Sequence, residues 1–216
     1  MDAYQSFMEA FDIHKEQLFD WGIKNTVFPS TDKVEDAWNN LLYRIYNNQE
    51  VYIRGYGRNG HATSLYKDFY SFLLGNEHVK EDPTNNSRPK RNIEKITGLK
   101  RNQNIFNYQV SHIFGCTKNV FLFEAPWNVC YVPKILDPFT GHEAKGTYIS
   151  EYQEIFKKEA LSRYKKYIDE YNLIVEKLQI RGKVEEYIQK LPKEVEDKQI
   201  QQFKEDCLGE FSFITA

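Results

Sequence analysis

The chain has 216 residues and a mass of 25.7 kDa, with 41% hydrophobic, 15% aromatic and 28% charged residues, a balance that supports a packed core and excludes a disordered chain. No stretch approaches the ~20 consecutive apolar residues of a membrane span, and Cys116, Cys130 and Cys207 are odd in number, far apart and without a C-x-x-C pair, which argues against a disulfide framework or a cysteine zinc site. The formal net charge is −2, yet residues 52–150 carry 13 basic and 8 acidic groups whereas residues 1–51 carry 4 and 9.

The first residues, MDAYQSFMEAFDIHKEQLFDWG, place acids early and offer no apolar secretory core, so a cytoplasmic location is expected. Residues 2–20 predict one helix with Phe7, Phe11 and Leu18 on a single side. A second helix follows Pro29. Ser30 or Thr31 caps it, Asp32 and Glu35 suit its N-terminal dipole, and Trp38, Leu41, Leu42, Ile45 and Tyr46 form its apolar stripe before Asn47-Asn48 ends it. Val51 to Gly57 reads as a short strand entering an Arg58-Asn59-Gly60 turn. Thr63 or Ser64 caps a third helix that turns Tyr66, Phe69, Tyr70 and Leu73 inward and stops at Gly75. Residues 76–92 have turn chemistry throughout and read as the longest loop. From Gln103 to Pro138, Val, Ile, Phe, Tyr and Trp between glycines and prolines predict short strands, with Trp127 and Tyr131 as core aromatics. Beyond Gly146 a helical stripe runs through Tyr152, Ile155, Phe156, Tyr164, Ile168, Tyr171, Ile174 and Leu178, breaks at Gly182, and resumes in a last helix opened by Pro192.

The expected fold is helix-rich α+β in one compact unit. Residues 1–102 form a helical region with a short strand and a basic loop, 103–150 a small β-containing core, and 151–216 the C-terminal helices. The stretch from Arg88 to Arg101 holds six basic groups against Glu94 alone, and is either a solvated loop or a site for a polyanion. Arg54, Arg58, Lys90, Arg91, Lys100 and Arg101, with Lys118 and Lys145, are the candidate phosphate contacts. Gly55 and Gly57 lack the third glycine and following helix of a dinucleotide site.

Chemistry concentrates in NYQVSHIFGCTKNVFLFEAPWNVCYVPKILDPFTGHEAKGTY. His112 ends an apolar run beside a Gly115 turn, Asn128 follows Pro126, and His142 sits where a turn passes toward a helix. An imidazole can take a proton from water near neutral pH, and a second imidazole with an amide or carboxylate oxygen can hold a divalent metal. His14, His61 and His78 lack partners and read as surface residues.

The order His112, Asn128, His142 resembles the HNH, or ββα-metal, nucleases, in which a histidine ends one strand, an asparagine follows, and a third residue opens a helix. The resemblance covers about 40 residues. It implies a ββα-metal core, a double-stranded DNA substrate, and Mg²⁺ or Mn²⁺ as cofactor. By that resemblance His112 activates the attacking water, Asn128 orients the His112 loop or joins the metal shell, His142 binds the metal, and Lys145 contacts phosphate. Three departures stand out. Ser111 occupies the position where many members have a metal-binding aspartate or histidine, 13 residues separate Asn128 from His142, and bracing cysteine pairs are absent; Asp137 is the carboxylate available as a substitute ligand.

The resulting expectation is a metal-dependent endonuclease of the type II restriction class, acting as a homodimer, with no membrane partner; the long C-terminal helices are the candidate interface, with tertiary packing inside one chain as the alternative. A non-specific nuclease toxin or defence effector is the first rival, and a non-catalytic nucleic-acid-binding protein with structural histidines the second.

Overall fold

Every residue from Asn119 to Pro133 is buried, and the remaining elements pack around that segment. The computed structural model describes residues 2–55, 63–84, 86–141 and 144–215. The Arg58-Asn59-Gly60 turn, Gly57, His61, His142 and the side chains of Thr63 and Ser64 lie outside the described residues.

The chain begins with two helices where one was expected, α1 (Ala3–Ala10) and α2 (Lys15–Asn25). Asp12 adopts a left-handed φ of 52°, which an α-helix does not accommodate, and the axis changes direction there. The predicted inward side is corrected with it: Phe7 and Phe11 are 50% and 67% exposed, while Met8 and Phe19 are buried. α3 (Thr31–Tyr46) follows the expected stripe, with Val34, Trp38, Leu41 and Ile45 buried, except that Tyr46 points outward.

β1 (Val51–Arg54) leads to α4 (Thr63–Leu74), whose Tyr66, Phe69 and Tyr70 are buried and whose end is marked by Gly75 at φ 67°. The expected long loop is instead a strand, a short turn and a helix. β2 (Val79–Asp82) pairs in parallel with β1, Val51 opposite Val79 through Arg54 opposite Asp82, and α5 (Ser87–Thr97) carries most of the basic run. Asp82 makes that junction. Its carboxylate accepts from the backbone N–H of Thr84, Ser87 and Arg88, at 2.9, 2.9 and 2.6 Å, and so satisfies donors that a helix start leaves open. Gly98, at φ 73°, closes α5.

The central region has two strands rather than several. β3 (Tyr108–His112) and β4 (Val129–Pro133) pair antiparallel, from Tyr108 opposite Pro133 to His112 opposite Val129. A loop, residues 113–128, joins them; it is half-buried at 114–118 and buried from Asn119 onward. A single 3-10 turn (Lys134–Leu136) then leads into α6 (Asp137–Thr140). α5 covers one face of the hairpin through Ile93, which packs with Val110, Val129 and Tyr131.

α7 (Thr147–Leu178) kinks at Tyr164, and the break after it lies at Gln179 in a left-handed conformation, not at Gly182, which sits inside α8 (Ile180–Ile188). α9 (Asp197–Glu210) starts five residues beyond Pro192. The apolar face of α7, including Tyr152, Phe156, Tyr164, Ile168 and Tyr171, is buried within the chain's own core. One core cluster joins residues from α2 through α9, which makes the architecture helix-rich α+β in a single domain. Among the described residues no helix is long and apolar enough to cross a membrane.

Gly22 sets the closest approach of α2 to this core. A Cβ there would meet Leu136 Cδ1 at 2.4 Å and the Tyr152 hydroxyl at 2.6 Å. Gly22→Ala is therefore expected to destabilise the protein by about 1–3 kcal/mol despite alanine's higher helix propensity, read as a lower midpoint in urea with an unchanged m-value.

Candidate active site

β3 alternates its side chains between two faces. Gln109 and Ser111 face α6: Gln109 Nε2 donates to Asp137 Oδ1 at 2.8 Å, and Ser111 Oγ lies 3.4 Å from Thr140 Oγ1. Val110 and His112 face the other side, toward α5. His112 is the last residue of the strand and half-buried, its ring stacked on Phe123 with centroids 5.4 Å apart. Its Nε2 lies 3.0 Å from the Phe123 carbonyl oxygen. A carbonyl only accepts, so in the neutral ring Nε2 carries the proton and Nδ1 keeps the lone pair.

Burial pushes the His112 pKa down to about 4, the Phe123 carbonyl opposes that shift, the Arg54 charge adds to it, and Asp82 works against it. Arg54 is exposed at the end of β1, and its N–H donates to Thr117 O at 2.8 Å, which ties β1 to the His112 loop. With a free-chain value near 6.5, the unfolded state binds the extra proton between about pH 6.5 and 4. The associated stability is complete above that window and is lost as the pH falls through it, by up to about 3 kcal/mol. In EDTA, denaturant titrations of wild type and His112→Gln are expected to differ in pH slope over this window, with wild type the steeper.

Asn128 is fully buried. Its Oδ1 accepts from Phe114 N–H at 2.8 Å, and its Nδ2 donates to the carbonyls of Gly115 and Leu122 at 3.2 and 3.0 Å. All of its polar capacity except one lone pair goes to the loop. The candidate role as metal ligand is corrected on that ground: Asn128 clamps the two ends of the 113–128 loop and thereby holds Phe123 over His112.

α9 braces the same loop from outside. Lys118 Nζ pairs with Asp206 Oδ2 at 2.5 Å, Lys118 N–H donates to Glu210 Oε2 at 2.9 Å, and Asn119 Nδ2 donates to Glu210 O at 2.7 Å and to the Tyr171 hydroxyl at 2.9 Å. Burial raises the Glu210 pKa. Lys118 is thus engaged in holding the loop, and the reading of it as an outward phosphate contact is corrected.

The other basic candidates are scattered. Arg54, Arg91, Lys100 and Lys145 are exposed, and Lys90 lies 3.7 Å from Glu94 in an ion pair on α5. Arg101 is half-buried, with Nε enclosed and lacking a hydrogen-bond partner. Arg58 and His142 lie outside the described residues. His14 and His78 are exposed.

Among the described residues no group of three His, Cys, Asp or Glu side chains comes together as a metal cage. Asp137 and Ser111 nevertheless sit on one side of the hairpin, the side that meets α6. A carboxylate and a hydroxyl are oxygen donors of the kind that hard divalent cations take, and each is hydrogen-bonded here, Asp137 to Gln109 and Ser111 to Thr140.

Sequence reasoning did not find Phe123, Glu124 or Asp82. Glu124 is buried beside Phe123, and it accepts from Arg44 Nη1 at 3.2 Å, from Arg44 Nη2 at 3.4 Å and from Tyr52 N–H at 3.0 Å. The signal for it was present as one acid inside an otherwise apolar run, VFLFEAPW, since a charge is rarely buried without a partner.

The chain matches the family described as Uncharacterised protein PM1201 over residues 29–216. It is similar to Uncharacterized protein PM1201 of Pasteurella multocida (strain Pm70), at 41% identity over 190 residues that cover 86% of each chain. No solved structure matches it.

Proposed function

We propose that this chain, which belongs to the family of uncharacterised protein PM1201, is a metal-dependent DNA endonuclease of the HNH, or ββα-metal, type that hydrolyses phosphodiester bonds in double-stranded DNA. The observation that carries this reading is the clamped hairpin. A strand-end imidazole is fixed by a backbone carbonyl, and the loop supplying that carbonyl is closed by the three hydrogen bonds of a buried asparagine.

His112 acts as general base. Neutral at physiological pH and with Nδ1 unprotonated, it takes a proton from the attacking water, whose oxygen bonds to phosphorus as the bond to the leaving 3′-oxygen breaks. Strand alternation puts Ser111 and Asp137 on the face opposite His112. Asp137 and Ser111, with His142 by the resemblance, would hold Mg²⁺ or Mn²⁺, which supplies charge stabilisation to the pentavalent phosphate and the leaving oxygen. Arg54, beside the imidazole, and Lys145 neutralise phosphate charge.

A digest of plasmid and phage DNA with Mg²⁺ or Mn²⁺ tests the reading. Discrete fragments, lost in EDTA and in His112→Gln, are the expected result and indicate a restriction-type enzyme; a smear lost in the same way indicates a non-specific nuclease. Intact DNA from folded wild type across metals and pH overturns the enzyme reading.

A further inference from the structure

The amphipathic pattern of α3 has a second side. Opposite its core stripe, Lys33, Asp36, Ala37, Asn40 and Arg44 recur at helical spacing, and they face Asn92, Lys95 and Ile96 of α5 across a cavity of about 450 Å³. Glu124 and Pro126, from the loop that holds His112, close it. Arg44 and Glu124 neutralise each other at the wall. Lys33 and Lys95 carry no ion pair among the described residues, and both lie at the edge of the groove.

We propose that this groove binds a nucleotide of the DNA near the cut, with Lys33 and Lys95 on phosphates and with Asn40 and Asp36 reading a base edge. This rests on the nuclease reading for the identity of its partner. Three features of the chemistry carry it. Two unpaired ammonium groups on facing helices match successive phosphates of one strand better than a single compact anion. Asparagine pairs with adenine through two hydrogen bonds, and a carboxylate accepts from the amino group of cytosine, so the polar wall offers the donor and acceptor types that distinguish bases. Position is the third feature. Glu124 and Pro126, which line the groove, belong to the same loop as Phe123, which stacks on His112 and whose carbonyl meets its Nε2.

The test measures binding and cleavage separately. A fluorescein-labelled random-sequence duplex, titrated in EDTA at several salt concentrations, reads affinity without hydrolysis. The double variant Lys33→Gln/Lys95→Gln is expected to weaken binding at least tenfold and to lower the slope of log K against log salt by about 2, because each phosphate contact contributes about 0.9. Lys165→Gln, on the exposed face of α7, is the control and leaves both unchanged. For duplexes carrying the mapped site, Asn40→Ala is expected to relax discrimination at one base position by roughly tenfold while circular dichroism stays native. Wild-type affinity and slope in the lysine variant, together with unaltered discrimination in Asn40→Ala, overturn the groove proposal while wild type still binds and cleaves. Failure of wild type to bind any duplex overturns the nuclease reading instead.

Discussion

His112→Gln is expected to lower the cleavage rate by about 10²–10⁴-fold, the contribution of a positioned general base. Glutamine keeps a donor near the Phe123 carbonyl, so the loop has a partner and the loss is chemical rather than structural. Single-turnover cleavage checks this, because it reports the chemical step apart from product release. Binding of labelled duplex in EDTA is expected to change less than threefold, and a parallel collapse of binding would reassign His112 to architecture. The low pKa of this ring also predicts a flat acid side of kcat/KM down to about pH 5, whereas a solvated imidazole near 6.5 would start to lose activity above pH 6.

The second large effect concerns Asn128 and separates two roles by chemistry. Asn128→Asp supplies a stronger metal ligand but removes both N–H donors and turns a charge toward the carbonyls of Gly115 and Leu122. A metal ligand would tolerate or benefit from that change. A clamp does not: two buried carbonyls lose their donors and the new charge repels them, at about 1–3 kcal/mol for each unsatisfied group. Asn128→Asp is therefore expected to lose at least about 3 kcal/mol, or roughly 6–12 °C in Tm for a chain of this size, together with most of its cleavage. Differential scanning calorimetry in EDTA reads the first loss, and single-turnover rates at saturating Mg²⁺ read the second. Full stability with raised metal affinity would restore Asn128 to the metal shell.

Parts of the fold were legible because local chemistry and tertiary packing agree. The stripe of α3 and the long helical period of α7 survive nearly as read: Trp38, Leu41 and Ile45 of α3 and Tyr152, Phe156, Tyr164, Ile168 and Tyr171 of α7 are buried, while Tyr46 and Ile155 are exposed. β2 was hidden because Val79–Asp82 alternates weakly, and its pairing partner, β1, lies 28 residues back in the chain. A parallel pair leaves no turn signature between its strands. The break at Asp12 was hidden for the opposite reason, in that the apolar spacing runs through it unbroken to Leu18.

In the site, the types and order of His112 and Asn128 were visible in the sequence, but the division of labour was not. Whether an amide faces a cation or three backbone groups depends on how a 16-residue loop folds back, and residue spacing does not encode that. The polar side of α3 lines a groove only because α5 stands opposite it, which the sequence of α3 alone does not encode.

The grip of α9 on the loop has a consequence for timing. Asp206 follows Lys118 by 88 positions, so at about 5–20 residues per second the brace leaves the ribosome roughly 4–18 s after the loop it holds. During that interval a nascent chain already displays both strands of the hairpin, His112 and Asn128, without the contacts that Asp206 and Glu210 later make. The loop is thus braced in two instalments, the second only once α9 has emerged.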